Sequence, residues 1–252
     1  MRTLRRLARL TRLLLHLGRG LLLAATRLPR QPPPRTRAHW RLIRWWHRRV
    51  LALCGIDLQV RGASIDGPVL FVANHVSWLD ISALLTAIDA GFIGKHELRR
   101  WPLLGMIIAR GGTIFIERGA RNAAAAAAEE MVHRLEHGER AAVFPEGTTS
   151  AGRDVARFHP RLFDAAIRTG APVQPVALRY NRAEIAFVDN EPFLRNLWRV
   201  LGETGLRIEV DLLPVIHPGG HSRRQLADQA HARIAEVVRH PGPAPAEAAQ
   251  RL

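Results

Sequence analysis

The sequence predicts an α/β protein: a mixed, largely parallel sheet covered by helices, preceded by a basic amphipathic helical hairpin. Three observations carry this expectation. Short apolar runs at 57–61, 68–73, 91–94, 112–116, 141–144, 173–179 and 206–213 have the length and composition of strands. Helical patterns at 78–89, 101–108, 122–137, 160–169 and 222–239 alternate with them, the arrangement that builds a sheet with helices on its faces. The basic residues are segregated: residues 1–50 hold fourteen arginines and no acidic residue, so of a formal charge of +15 the other 202 residues carry only about +1. The chain of 252 residues is long enough for one such domain plus an appendage.

The appendage, residues 1–54, reads as a membrane-surface helical anchor. Arg2, Arg5, Arg9, Arg12, His16 and Arg19 recur at spacings of three and four, which is one stripe of a helix. Leu4, Leu7, Leu10, Leu14, Leu17 and Leu21 fall largely away from it. A cationic face opposite a leucine face suits a helix lying in the interface plane, with anionic headgroups adding about 1 kcal/mol per basic residue. The longest apolar run there, Leu21–Ala25, is far short of the roughly 18 residues a span requires. Arg19 interrupts the apolar stretch and no cleavage site of a secretory leader follows. Four prolines in 28–34 break the helix. A second basic segment, Trp40–Arg49, sets tryptophans beside arginines, as in a headgroup layer. The alternatives are a hairpin that only packs on the domain and a basic tail on RNA. The leucines disfavour RNA, because phosphate contacts need no apolar face, so the expected partner is a bilayer surface and not nucleic acid.

The domain itself is expected over 55–240. The alanine run Ala123–Ala128 reads as ordinary helix, ended by Gly138. The Pro/Ala-rich tail 241–252 is expected to be disordered. One cysteine, Cys54, excludes a disulfide framework and suits a reducing compartment. With the anchor, this places the protein peripherally on the cytoplasmic face of the inner membrane. No Cys/His cluster has zinc-ligand spacing, so no metal is expected.

The chemistry concentrates after the buried-strand run Pro68–Ala73, in Asn74-His75-Val76-Ser77-Trp78-Leu79-Asp80. Polar residues that follow a buried strand and open a helix sit where α/β folds bind ligands. On one continuous helix, His75 and Asp80 would lie about 140° apart and would not meet. If His75 occupies the turn before the helix, Asp80 can reach back to its ring. Asp80 would then fix the tautomer and stabilise the imidazolium, leaving the other nitrogen to take a proton from a substrate hydroxyl. The helix N-terminus would favour negative charge nearby. The bland alternative makes Asn74 and Ser77 helix caps and His75 a polar turn residue. Ser77 is read as a cap rather than a nucleophile, and no Gly-x-Ser-x-Gly elbow is present.

In order along the chain, Asn74-His75-x4-Asp80, Gly112–Arg118, Phe144-Pro145-Glu146-Gly147-Thr148 and Val173–Leu178 resemble the four sequence blocks of the glycerolipid acyltransferases. Lys95–Leu98 and Trp101–Gly105 resemble the segment between the first two blocks. The resemblance covers about residues 55–215. It implies that His75 deprotonates an acceptor hydroxyl, with Asp80 as its partner. The hydroxyl then attacks an acyl thioester carried by coenzyme A or acyl carrier protein. The thioester is a co-substrate; no cofactor and no acyl-enzyme are implied. A thiol, of pKa about 8.5, leaves without a strong acid.

The second and third blocks imply that Arg118, Glu146, Gly147 and Thr148 bind the acceptor headgroup. Arg118 follows an apolar strand, where an anion would be held at the strand end. Lys95 joins them as the only lysine beside 36 arginines, a compact point charge. Glu146, in a Pro–Gly turn whose backbone can approach a ligand, is expected to hold a glycerol hydroxyl or to pair with an arginine. Gln174 is expected to shape a pocket from its strand. The acceptor implied first is 1-acyl-sn-glycerol 3-phosphate, giving phosphatidic acid in phospholipid biosynthesis. One departure counts against it. Members that act on a phosphomonoester commonly carry Arg after Glu-Gly-Thr, whereas this chain has Thr149, which cannot make a bidentate charged contact. Either Arg153, Arg157 or Arg161 replaces that arginine, or the acceptor is another lysolipid, such as lyso-ornithine lipid or a lysophospholipid. The non-enzymatic alternative is a basic membrane-surface binding protein.

Overall fold

The computed structural model describes residues 1–28, 36–95, 105–107, 113–116, 123–188 and 191–240. Two helices lead, α1 (Arg2–Arg27) and α2 (Arg37–Cys54). A capping box between Thr36 and His39 opens α2, and Gly55, in the left-handed region at φ 77°, closes it. The strands follow as β1 (Ile56–Arg61), β2 (Leu70–Ala73), β3 (Gly91–Lys95), β4 (Ile114–Ile116), β5 (Ala141–Val143), β6 (Val173–Tyr180) and β7 (Leu206–Leu212). Between and after them come α3 (Leu79–Ala87), α4 (Ala123–Glu136), α5 (Asp164–Thr169), α6 (Phe193–Gly202) and α7 (Arg223–Arg239). The seven strands form one sheet in the order β1-β7-β6-β2-β5-β3-β4. Every neighbouring pair is parallel except β6 with β7.

This is the mixed, largely parallel sheet the sequence predicts, with strands at all seven expected places. The middle strand, β2, is buried at every residue, and this is why it reads as an unbroken apolar run. Its alternation feeds two cores. Leu70 and Val72 join Met131, Phe163 and Ile234 on one face. Phe71 and Ala73 join Leu51, Leu79, Leu84 and Leu201 on the other.

One expectation about the elements changes. The sequence reading has no helix at 193–202, yet α6 forms there, with Leu197, Val200 and Leu201 buried. The pattern was blurred by exposed Leu194 and Trp198 among them. Of the helix expected at 101–108, only 105–107 are described, and they are helical. The tail 241–252 and the proline-rich 29–35 lie outside the described residues.

The larger correction concerns α1, whose basic residues in part turn inward. Arg5 donates to the Gly202 carbonyl at 2.6 Å. Arg9 donates to those of Leu201 and Glu203, at 3.1 and 2.6 Å. Arg2 pairs with the Glu203 carboxylate, and the Arg6 guanidinium lies 5.3 Å from the centre of the Trp198 ring. These cations meet the C-terminus of α6, where carbonyls lack intrahelical partners and the helix dipole is negative. Farther along, His16 is buried, with Nε2 3.1 Å from the Trp46 carbonyl oxygen. Leu13 joins the core, but five other leucines are left outside: Leu4, Leu7, Leu14, Leu15 and Leu22 are between 50% and 73% exposed. Trp46 also turns inward, over Gly20, where a Cβ would collide with the indole. Trp45 stays exposed, with Arg19 4.9 Å from its ring centre. Among the described residues no helix is long and apolar enough to cross a membrane.

His47 ties α2 to α3 through Ser82, Nδ1 to Oγ at 3.0 Å. Burial, with a smaller contribution from His16, pushes its pKa down to about 3. An unfolded histidine takes up its proton near pH 6.5. Between these values the unfolded chain binds a proton that the folded chain does not, so stability is full above pH 6.5 and falls as pH drops toward 3. Denaturant titrations between pH 7 and pH 4 should show this loss. In His47→Gln the slope should be shallower, by as much as about 1 kcal/mol per pH unit.

Candidate active site

Residues 74–78 form the turn that leaves β2 and opens α3. Asn74, wholly buried, does not cap the helix. Its amide clamps the neighbouring strand β6, donating to the Leu178 carbonyl at 2.9 Å and accepting from the Leu178 N–H at 2.7 Å. Next, the His75 N–H donates to Glu146 Oε1 at 2.7 Å, and its carbonyl accepts from the Ser150 N–H at 2.8 Å. The Val76 carbonyl accepts from the Phe187 N–H at 2.9 Å. The turn is thus pinned by three separate parts of the chain: strand β6, the loop after β5, and the segment after β6.

Asp80, in the first turn of α3 and wholly buried, organises the inside of the turn. Its Oδ2 accepts from the N–H groups of Val76 (2.6 Å) and Ser77 (2.9 Å) and lies 2.7 Å from His75 Nδ1. Its Oδ1 accepts from the Tyr180 hydroxyl. The ring of His75 stacks on Phe144, with centroids 4.0 Å apart and planes 11° from parallel. An anionic acceptor at Nδ1 requires the proton there, so Nε2 keeps its lone pair. Nε2 has no protein partner among the described residues, and the side chain is 18% exposed. Such a nitrogen can accept a proton from a bound hydroxyl.

His75 and Asp80 meet as the sequence suggests. Ser77 does not cap α3: the helix has no side-chain cap, and Ser77 Oγ is 3.5 Å from the Leu79 nitrogen. Asp80 takes the N–H groups instead. Ser77 is wholly buried, which closes it to a substrate as a nucleophile. Glu146 sits beneath the turn with its two oxygens on the backbone, Oε2 accepting from Ala156 at 2.8 Å. Its acceptors therefore meet backbone N–H groups, where an arginine or a glycerol hydroxyl was expected. Burial raises its pKa, against the lowering effect of the two N–H donors. Gly147 adopts φ 73°, and the adjacent Thr148 is exposed. Gln174 bridges strands, donating to the carbonyls of Ala63 and Leu213. Thr149 donates its hydroxyl to the Phe187 carbonyl. Lys95 is the last residue of β3, and Arg118 lies outside the described residues. Tyr180 was missed; it is the sole tyrosine of the chain, two residues beyond the one Asn74 clamps.

The histidine–aspartate pair thus sits at the carboxyl edge of the sheet, and likeness to known proteins gives the class of enzyme. A family model described as Acyltransferase matches residues 57–179, and the chain belongs to the acyltransferase family. It is 37% identical over 243 residues to a lyso-ornithine lipid O-acyltransferase of Pseudomonas aeruginosa, covering 93% of each chain. It is 36% identical over 200 residues to a 1-acyl-sn-glycerol-3-phosphate acyltransferase of Neisseria meningitidis, covering 76% of this chain and 78% of that one. The crystal structure of the 1-acyl-sn-glycerophosphate acyltransferase of Thermotoga maritima superposes with a TM-score of 0.70. It is 23% identical, covers 98% of this chain and 100% of that chain, and shares the fold. The protein is accordingly a lysolipid acyltransferase.

Glu146→Gln would turn an amide NH2 toward one of the two buried N–H groups. Leaving that donor unsatisfied should lower unfolding stability by about 1–3 kcal/mol. Urea titration should show a lower midpoint at unchanged slope.

Proposed function

We propose that this enzyme acylates lyso-ornithine lipid from an acyl thioester, with His75 as general base. The observation that carries the acceptor assignment is Thr149. Its hydroxyl is occupied by the Phe187 carbonyl, at the position where relatives acting on phosphomonoesters commonly hold arginine. Lyso-ornithine lipid has a carboxylate and an ammonium and no phosphate dianion, so it does without that bidentate cation. The likeness to the Pseudomonas enzyme over 93% of both chains supports the same reading. The second reading, 1-acyl-sn-glycerol 3-phosphate, is favoured by the Neisseria relative and by Arg153, Arg157 and Arg161, all exposed just after the Glu146 turn.

In the proposed reaction, His75 Nε2 takes the hydroxyl proton as the oxygen attacks the thioester carbonyl. The tetrahedral intermediate collapses with loss of the thiolate, and the imidazolium returns the proton to sulfur. Asp80 stays anionic and holds the imidazolium in place. Lys95, Arg118 and Thr148 are assigned to the headgroup, with Gly147 allowing its close approach. Glu146 supports the His75 loop from below. The donor is acyl-CoA or acyl carrier protein.

The outward leucines of α1 would rest in the cytoplasmic leaflet of the inner membrane. Arg5 and Arg9 are engaged on α6, while Arg12, Arg19, Arg48 and Arg49 are exposed, and in this proposal the leucines supply the larger share of the contact. In vesicle flotation, the combined change of Leu4, Leu14, Leu15 and Leu22 to Ser should release the protein. About 1 M salt, where charges are screened beyond about 3 Å, should leave most of the native protein bound.

The activity test is thioester consumption by the full chain in mixed micelles, with each donor and each acceptor. The expected result is a higher kcat/KM for lyso-ornithine lipid. His75→Ala should retain less than about a tenth of the activity, and Asp80→Asn should lose about 10²–10⁴-fold in kcat. A preference for 1-acylglycerol 3-phosphate would transfer the headgroup role to the arginines beyond Thr149. Activity surviving in His75→Ala would remove His75 as the base.

A further inference from the structure

Beyond the His75–Asp80 pair, the structure assigns a third member to the proton-transfer apparatus: Tyr180 is a positioning residue whose hydroxyl, donated to Asp80 Oδ1, fixes that carboxylate and sets the basicity of the His75 ring. This inference rests on the reading of His75 as general base.

The placement follows from strand geometry. Side chains two apart on β6 point to the same face, so Leu178 and Tyr180 both face the turn. Asn74 clamps the backbone of Leu178 at one end of the turn. Tyr180 reaches Asp80 at the other. One strand therefore holds both ends of the segment that carries His75. The hydroxyl ends on a carboxylate that is wholly buried. The hydroxyl, the carboxylate and the ring form a chain Tyr180–Asp80–His75. Burial first, and Asp80 second, push the phenol well above its ordinary range, so it remains a donor wherever the enzyme works.

The effect has a definite sign. A hydroxyl on Oδ1 draws negative charge away from Oδ2, the oxygen that faces His75. Removing it leaves more charge on Oδ2 and stabilises the imidazolium relative to the neutral ring. The other groups facing the ring and carboxylate are the N–H donors of Val76 and Ser77, the ring of Phe144 and the Glu146 carboxylate. The substitution replaces none of these groups.

Because Tyr180 is the only tyrosine, growth on 3-fluorotyrosine modifies this position alone. The fluorinated phenol is a stronger acid and a stronger donor, and it keeps the side chain's shape. Two proteins, Tyr180→Phe and the fluorotyrosine form, should be compared with the native chain by kcat, KM and the pH profile of kcat/KM. Loss of one hydrogen bond to a buried charge should lower kcat of Tyr180→Phe about 10- to 100-fold, with KM for both substrates within about twofold. The acid limb should move to higher pH in Tyr180→Phe and to lower pH in the fluorotyrosine protein. Unchanged kcat, a change in KM alone, an unmoved limb or shifts in one direction would each overturn the assignment. Should Tyr180→Phe fail to fold, the fluorotyrosine protein decides by its acid limb alone. His75→Ala, run in parallel, separates the two ideas. If it stays active, the reading of His75 fails. If it is inactive while the Tyr180 proteins behave as native, only this inference fails.

Discussion

The architecture of the site depends on one buried carboxylate. Asp80 gathers two backbone N–H groups, an imidazole and a phenol around its two oxygens. An ionised group this deeply buried would be very unfavourable without them, and with them it becomes the point about which the turn is folded. The His75 ring is held because Asp80 is held. Asp80 is held because β2 delivers the turn, α3 delivers the carboxylate and β6 delivers the tyrosine to a single place. The parallel neighbours β6, β2 and β5 make this convergence possible, since their carboxyl ends open on the same edge.

Around that point, loops from distant parts of the sequence act as braces. Glu146, beyond β5, supports the backbone of His75 from below. Ser150 and Phe187 satisfy the next two carbonyls. An imidazole positioned through its main chain as well as through its ring has little freedom to reorient, which suits the role of base proposed for it. The Glu146 turn and the His75 turn, distant in sequence, complete each other's hydrogen bonding.

Much of this was legible in the sequence, and the exceptions have physical causes. Strands such as Leu70–Ala73 announce themselves because burial on both faces demands continuous apolar side chains. The His75–Asp80 meeting was accessible from helix geometry alone, given a turn before the helix. The roles of Asn74 and Glu146 were not. Both are polar residues at turns, and sequence spacing does not say which distant backbone will need their oxygens. Tyr180 carried a weak signal, an isolated tyrosine ending a buried strand, but its partner lies 100 positions away. The N-terminal helix shows a different limit. Its periodicity separates cations from leucines correctly, yet periodicity is blind to which face meets the domain. That was decided by the bare carbonyls at the end of α6, which no pattern within α1 encodes.

The docking of α1 on α6 has a mechanical consequence. From α6, Asn196 accepts a hydrogen bond at 3.0 Å from the Trp78 indole, at the threshold of α3. One helix, α6, therefore joins the arginines of the first helix to Trp78, the last residue of the His75 turn. If the outward leucines settle into a bilayer, they set the elevation of the His75 ring above the acyl chains, much as a depth gauge would. Search for the acceptor then becomes two-dimensional, with the hydroxyl presented at nearly constant height, and lipids whose hydroxyl lies deeper or shallower would be discriminated against before any headgroup contact is made.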